Sequence, residues 1–196
     1  MMKRCLLRIT ICVCLVSATL AQAGAYSKYK AHNDYDDYFR KYTKRFFGPA
    51  FDWHYFKAQA VAESNLNPEA KSYVGAQGIM QIMPRTYEEI KTKNQFIQGL
   101  ATEPKWNIAA GIWYNQQHFK FWKKGRTLEE RLKFMYGSYN AGRKNLLKAQ
   151  RKAIEAGLNP RIWQSMYQAL PTVTGKHSKE TLNYVEKIFT IKEDIQ

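Results

Sequence analysis

The chain has 196 residues, 45% of them hydrophobic, which is enough for one domain with a sizeable core and too few for two large ones. Its formal net charge of +15, from 31 basic and 16 acidic residues, favours a polyanionic partner: an anionic cell wall, a membrane surface or nucleic acid. The 3 cysteines all lie at or before Cys14, so the rest of the chain excludes disulfides, thiol nucleophiles and cysteine-based metal sites.

Residues 1–23 have the pattern of a secretory signal peptide. A basic start precedes an apolar run over residues 9–20, and small residues two apart follow at Ala21 and Ala23. The run is shorter than the roughly 20 residues that a membrane-spanning helix needs, so an anchor is the weaker alternative. We therefore expect cleavage after Ala23 and export to the periplasm, with secretion as the alternative.

The remaining chain predicts one compact, mainly α domain. From Asp34 onward the apolar residues recur with helical spacing, and sustained alternation typical of strands is missing. Residues 24–33 are small and polar and are expected to be frayed or extended, residues 24–49 form an N-terminal segment and first helix, and residues 50–196 form the main domain. Residues 66–83 contain glycines and prolines and are expected to be a loop.

The predicted helices have recognisable starts and ends. In chain order they are one capped by Asp52 and ending near 63–65, one introduced by Pro84 over 86–93, one over 107–124 ended by Gly125, one opened by a capping box at 127–130, a basic amphipathic one over 143–156, a short one over 162–170 closed by Pro171, and a last one capped by Ser178.

Glu63 closes an otherwise apolar helix and stands just before a glycine-bearing loop. A carboxyl that is desolvated there has a raised pKa; moving it from about 4.3 to about 6 costs on the order of 2 kcal/mol and yields an acid for a leaving oxygen. Gly75 and Gly78 would let backbone approach a ligand, while Ser72 and Gln81 could hydrogen-bond to sugar hydroxyls or amides. The plainer alternative is a surface glutamate at a helix end.

Two later stretches add polar groups to this helical background. Residues 136–142 read Tyr-Gly-Ser-Tyr-Asn-Ala-Gly, which offers a phenol that can point across a cleft or, more simply, a helix end with Gly142 in the left-handed conformation. Residues 180–185 read Glu-Thr-Leu-Asn-Tyr-Val, with an acidic residue and a tyrosine one turn apart, or an ordinary amphipathic helix.

In this order and at these spacings, the three stretches resemble the catalytic domain of SLT-type lytic transglycosylases, which is related to goose-type lysozymes. The family pattern is Glu-Ser, then Ser-x-x-Gly-Ala-x-Gly-Leu-Met-Gln-Leu-Met-Pro, then Ala-Tyr-Asn-Ala-Gly, then Glu-Thr-x-x-Tyr-Val, and the match covers roughly residues 50–190. Ile79 and Ile82 take leucine positions, and Gly137-Ser138 replaces the usual small pair. The segment Asn159-Pro160-x-x-Trp163 also resembles the membrane-bound F-type branch, without its extra domain.

The resemblance implies a lysozyme-like single domain that cleaves the β-1,4 bond between N-acetylmuramic acid and N-acetylglucosamine and leaves 1,6-anhydro ends. Glu63 would be the catalytic acid and then the base. The implied substrate-binding residues are Ser72 and Gln81 against the sugar or its N-acetyl group, Met83 in the cleft wall, Tyr139 and Asn140 facing the carboxyl, and Glu180 as a supporting acid deeper in the cleft.

The chain is expected to use no cofactor and no metal, because His32, His54, His118 and His177 lack metal-ligand spacing and fit surface or core roles. The expected partner is the peptidoglycan glycan strand, bound by a monomer; a secretion, pilus or conjugation machine is a further candidate. The alternatives are a lysozyme-type hydrolase on the same fold and a non-catalytic wall-binding protein.

The basic composition could also indicate a nucleic-acid-binding protein. A charged helix face is consistent with that interpretation, but no nucleic-acid-binding motif accompanies it. We expect no nucleic acid and predict that this face holds an anionic wall; its residues are Arg143, Lys144, Lys148, Arg151 and Lys152.

Overall fold

A computed structural model describes residues 24–196, and the predicted signal peptide lies outside the described residues. This part of the chain is helical, as predicted. The helices are α1 (Lys28–Ala31), α2 (Asp36–Phe47), α3 (His54–Ser64), α4 (Pro84–Lys93), α5 (Pro104–Phe121), α6 (Leu128–Ala141), α7 (Arg143–Glu155), α8 (Met166–Ala169), α9 (Pro171–Thr174) and α10 (His177–Ile195), with a 3-10 turn at Trp163–Ser165.

Helix α3 lies at the centre of the domain. It packs along α10 and against α2, while α2 packs along α5 and α6 packs against α5, α7 and α10. Phe56, Ala60 and Val61 of α3 are fully buried. An apolar helix enclosed on several sides provides a rigid platform for whatever polar group stands at its end. Among residues 24–196, every helix is too short or too polar to cross a membrane.

The N-terminal segment differs from its prediction. Residues 24–33 are neither frayed nor extended, because they contain α1 and the buried ring of Tyr29. The backbone N–H groups of Gly24 and Tyr26 donate to the carboxylate of Asp194 at 2.8 and 3.0 Å. A short segment near the N-terminus of the described chain is thus fixed to the end of α10, a long-range contact that local composition does not reveal.

Three helix boundaries also differ from the sequence prediction. Helix α5 begins at Pro104 and ends at Phe121, about one turn earlier than predicted, because Pro104 occupies the first turn. Pro171 begins α9 instead of closing the preceding helix. Ser178 does not cap α10, which begins at His177; its hydroxyl is buried and donates to the carbonyl of Gly175 at 2.7 Å.

The start of α6 follows the predicted capping box in only one direction. The Thr127 hydroxyl accepts from the N–H of Glu130 at 3.3 Å. The Glu130 carboxylate accepts from the backbone N–H of Trp163 at 2.5 Å. Trp163 in turn packs on α6, where a Cβ on Gly137 would lie 2.4 Å from its ring. Gly137 therefore serves the packing of Trp163 against α6.

Candidate active site

Glu63 stands in the last turn of α3. The helix ends at Ser64 because Asn65 adopts the left-handed conformation, with φ 55° and ψ 34°, and its side-chain oxygen accepts from the Tyr29 hydroxyl at 2.9 Å. The Ser64 hydroxyl donates to the carbonyl of Ile79 at 2.8 Å, so it joins the helix end to the following loop. This contact fits the structural role that its position suggests and leaves Glu63 as the acidic group at the cleft.

The loop of residues 66–83 is held from beneath by Asn107 of α5. The fully buried Asn107 side chain accepts from the N–H of Met80 at 2.7 Å and donates to the carbonyls of Gln77 and Ala101 at 3.0 and 2.7 Å. A Cβ on Gly78 would lie 2.6 Å from the Asn107 amide. Gly78, with φ +74°, therefore admits Asn107 and is buried, so the expectation that it approaches a ligand is wrong.

A chain of buried hydrogen bonds ends on the Glu63 carboxyl. The Tyr184 hydroxyl donates to Oε1 of Glu63 at 2.5 Å. The Gln59 amide donates to the Tyr184 oxygen at 3.0 Å, and the Asn115 amide donates to Oε1 of Gln59 at 2.6 Å. Gln59 and Asn115 are fully buried. Three helices, α3, α5 and α10, thus fix the position of one carboxyl.

The surroundings favour the protonated form of Glu63. Desolvation is the largest influence and raises the pKa of Glu63 to about 8, and the negative charge of Glu180 raises it as well. The hydrogen bond from Tyr184 and the positive charge of Lys187 oppose this rise. Glu63 itself is partly exposed at the cleft. A carboxyl that is both reachable and protonated near neutral pH can act as a general acid.

Tyr139 lies near enough to this carboxyl for the Glu63 charge to act on its phenol. Its hydroxyl donates to the carbonyl of Met80 at 2.7 Å, which joins α6 to the loop. Burial, with the nearby Glu63 charge, raises the Tyr139 pKa well above its ordinary value, so the phenol stays neutral. Its ring meets Tyr114 edge-on with centroids 5.5 Å apart. The neighbouring Asn140 is exposed, and its side-chain oxygen accepts from the Thr181 hydroxyl at 2.7 Å.

Two of the remaining predicted site residues, Ser72 and Gln81, use part of their hydrogen-bonding capacity within the loop. The Ser72 hydroxyl accepts from the N–H of Ala76 at 2.9 Å. The Gln81 amide donates to the carbonyls of Gly78 and Ala70 at 2.9 and 3.1 Å, so its oxygen is the atom that can face a ligand. Met83 is 41% exposed and immediately precedes α4, in a position that suits a cleft wall.

Glu180 does not lie deeper in the cleft, and that expectation is wrong. It stands in the first turn of α10 with its side chain exposed, whereas Thr181 and Tyr184 on the inward side of the helix are the residues that reach the site. Tyr184 belongs to the third stretch of the sequence but was not predicted to contact the acid, and Gln59 and Asn115 were not predicted as site residues. A signal existed for Gln59, because it precedes Glu63 by four residues and so lies on the same helix face.

Two open grooves adjoin the site and meet at Ala141 and Asn145. The larger, of about 630 Å³, lies between α4, α5 and the start of α7. The smaller, of about 420 Å³, is bordered by α9 and the first turn of α10, including Glu180. Together they give the surface around the site an extended, polar character that suits a chain-like ligand better than a small molecule.

Known proteins are similar to this chain in sequence and in fold. The family model described as "Transglycosylase SLT domain" matches residues 37–161. A "Membrane-bound lytic murein transglycosylase F" from Desulfosudis oleivorans is 30% identical over 154 residues, which are 71% of this chain and 32% of that protein. One of the same name from Haemophilus influenzae is 31% identical over 133 residues, 68% of this chain and 26% of that protein.

A solved structure is also similar to this chain. The 70 kDa soluble lytic transglycosylase SLT70 from Escherichia coli has a TM-score of 0.61 and 28% identity, covering 82% of this chain and 24% of that one. The chain thus spans a third or less of these relatives. The predicted family resemblance and the mainly α, lysozyme-like fold are confirmed.

Proposed function

The chain belongs to the transglycosylase SLT family, and from that premise we propose that it cleaves the glycan strands of peptidoglycan as a lytic transglycosylase, with Glu63 as both acid and base. The cleaved bond would be the β-1,4 linkage between N-acetylmuramic acid and N-acetylglucosamine, and the product a 1,6-anhydro-muramic end. We further propose that the protein acts in the periplasm after export, as a monomer and without a cofactor.

The observation that carries the proposal is the state of the Glu63 carboxyl. Burial raises its pKa to about 8, so it holds a proton at neutral pH, and the 2.5 Å hydrogen bond from Tyr184 fixes its orientation. The same hydrogen bond favours the carboxylate once the proton has left. A group with these properties can donate a proton and accept one in the same turnover, which a surface glutamate at its ordinary pKa does poorly.

In the proposed reaction Glu63 protonates the glycosidic oxygen, and the bond between that oxygen and C1 of the muramic residue breaks. The carbonyl oxygen of the N-acetyl group stabilises the positive charge that develops at C1. The Glu63 carboxylate then takes the proton from the muramic 6-hydroxyl while that oxygen bonds to C1. Glu63 is protonated again at the end, and no water is consumed.

One carboxylate suffices for this scheme because the substrate supplies the nucleophile, whereas most glycosidases need a second. Asp52 stands at the opposite end of α3, where it pairs with His54 at 2.6 Å and Lys192 at 3.3 Å. Glu180 is exposed on the rim of the smaller groove, and its charge raises the pKa of Glu63. In this proposal Glu180 tunes the acid and does not react.

The neighbouring polar groups would position the sugar. The partly exposed Ser72 and the Gln81 oxygen would contact hydroxyls or the N-acetyl group, Met83 would form the wall, and Tyr139 with Asn140 would face the carboxyl. The exposed apolar surface of Met83 and the neutral phenol of Tyr139 suit a sugar ring, which presents both apolar faces and hydroxyl groups.

The test is release of soluble fragments from purified peptidoglycan by the purified protein and by two glutamine variants. Glu63→Gln keeps the shape of the side chain but cannot donate a proton, and we expect a rate loss of at least about a hundredfold. Glu69→Gln, in the same stretch but exposed, should keep the wild-type rate. Clearance of the wall by Glu63→Gln at near wild-type rate would show that another group is the acid.

A further inference from the structure

Four cations border the larger groove. Arg143 and Lys144 come from the first turn of α7 and Lys148 from the second, and Lys93 comes from the end of α4 on the opposite wall. The basic face that the sequence predicted on α7 is therefore divided. Three of its members line this groove, whereas Lys152 lies further along the helix and pairs with Glu155 at 2.7 Å.

These four cations have no anionic partner in the described part of the chain. Within residues 24–196, none of them lies within 4.0 Å of a carboxylate oxygen. The groove has one acidic residue in its lining, Glu89, and that carboxylate already pairs with Arg85 at 3.5 Å. Several unpaired charges of one sign around a concave surface concentrate the electrostatic potential and attract an anion.

Glu63 is not in the lining of this groove, but the groove lies beside residues that surround that carboxyl. Tyr114 lines it and packs edge-on against Tyr139, whose phenol is within reach of the Glu63 charge. Ala141 and Asn145 line both this groove and the smaller one that carries Glu180. A chain-like substrate with one linkage at Glu63 would therefore place groups attached to its neighbouring residues beside the cations.

The guanidinium of Arg143 is held in place at the groove. It lies over the ring of Phe121, with 4.7 Å between the guanidinium carbon and the ring centroid. A stacked arginine loses little further freedom when it binds an anion and can pair with a carboxylate through two parallel hydrogen bonds. The flexible Lys144 and Lys148 add charge without fixed geometry.

We propose that this groove binds the carboxylates of the stem peptides carried by muramic residues next to the cleaved linkage. The inference rests on the proposed function, since it names which part of the peptidoglycan strand the groove recognises. The sugar rings bear no charge of their own, whereas the stem peptides carry several carboxylates. The protein would consequently prefer strands with free-carboxylate stems to strands whose stems are amidated or removed.

The test compares two defined peptidoglycan tetrasaccharides, identical except that the stem carboxyls are free in one and amidated in the other. Binding is measured by fluorescence anisotropy on Glu63→Gln protein at low ionic strength, so that no ligand is consumed. We expect the free-carboxylate ligand to bind about fivefold tighter, the combined effect of two exposed ion pairs. Raising the salt concentration should weaken this preference.

Variants on α7 decide whether the groove is responsible. Combining Lys144→Ala with Lys148→Ala leaves Arg143 and Lys93 in the groove, so it should weaken the preference for free carboxyls and leave the affinity for the amidated ligand unchanged. Lys152→Ala, which removes one positive charge from the same helix outside the groove, should retain the preference. Both groove lysines are exposed, so neither substitution threatens the fold.

Equal affinity for the two tetrasaccharides would overturn the inference, and so would an equal loss of preference in Lys152→Ala, which would mean general surface charge. Failure of the proposed function has a different readout, which is the absence of peptidoglycan cleavage by the wild-type protein. Because binding is measured on a variant that does not turn over, the preference can be determined whether or not the wild-type protein cleaves.

Discussion

Tyr184 donates a 2.5 Å hydrogen bond to Glu63 across 121 residues of sequence. The two residues come from α3 and α10, which pack along each other through the centre of the domain. The Tyr184 pKa is raised well above its ordinary value, first by burial and then by the Glu63 charge, so the phenol keeps its proton and always donates. The candidate acid is therefore completed only when the last helix is in place.

Replacing Tyr184 with phenylalanine should shift the pH dependence of kcat/KM. A general acid works while it is protonated, so the rate falls as pH rises through the Glu63 pKa of about 8. The Tyr184 hydrogen bond lowers that pKa, and its removal should move the falling limb to higher pH. Tyr167→Phe is the matched control, because that phenol donates at 2.8 Å to the exposed Glu186. An unmoved limb in Tyr184→Phe would contradict the assignment.

Glu180→Gln should shift the fall of kcat/KM at high pH in the opposite direction to Tyr184→Phe. The negative charge of Glu180 raises the pKa of Glu63, so a neutral residue there should lower that pKa and shift the fall in rate to lower pH. The measurement is again kcat/KM across pH, at low ionic strength because Glu180 is exposed and its field is screened by salt. If the limb stays in place while the rate collapses, Glu180 is a reacting group instead of a tuning one.

The variant Glu63→Gln should be more stable than wild type near neutral pH. The folded-state pKa of about 8 lies above the ordinary value of 4.5, so the folded protein must hold a proton that the unfolded chain releases between these values. Wild-type stability therefore decreases as pH rises from 4.5 toward 8, and glutamine removes this cost. We expect at least about 1 kcal/mol at pH 7 by urea unfolding, shrinking toward pH 4. A less stable variant would mean that the carboxyl is not protonated.

Asn107→Ala should destabilise the loop that faces Glu63. The substitution leaves the N–H of Met80 and the carbonyls of Gln77 and Ala101 without their partner in a buried place. Such a loss costs about 3 kcal/mol, measurable by urea unfolding. Asn183→Ala, on the exposed face of α10, should change the free energy of unfolding by less than about 0.5 kcal/mol. Equal changes in the free energy of unfolding for the two variants would contradict the claim that Asn107 stabilises the loop.

Most helices were predictable because they follow from local spacing and local start signals, although the boundaries of α5, α9 and α10 differ from the prediction. Pro84 and Thr127 mark helix starts that the structure has. The conformation of residues 24–33 was mispredicted because a residue distant in sequence determines it. The N–H groups of Gly24 and Tyr26 are fixed by Asp194, near the opposite end of the chain, and nothing in residues 24–33 reports that carboxylate.

The candidate site was predictable in its motif residues and not in their supports. Glu63 and Tyr139 stand in recognisable stretches, and in the structure the Glu63 charge lies near enough to act on the Tyr139 phenol. Tyr184 also stands in a recognisable stretch, but its role as a donor to Glu63 depends on how α10 packs on α3. Asn115 acts on Glu63 only through Gln59 and Tyr184, so its contribution cannot be recognised from the sequence around it.

The most direct test of the account is mass spectrometry of the fragments that the wild-type protein releases from purified peptidoglycan. If Glu63 serves first as acid and then as base for the muramic 6-hydroxyl, the fragments will be lighter than hydrolysed ones by one water molecule and will have no reducing end. Reducing N-acetylmuramic ends would contradict that claim and identify a hydrolase, in which water takes the place of the 6-hydroxyl.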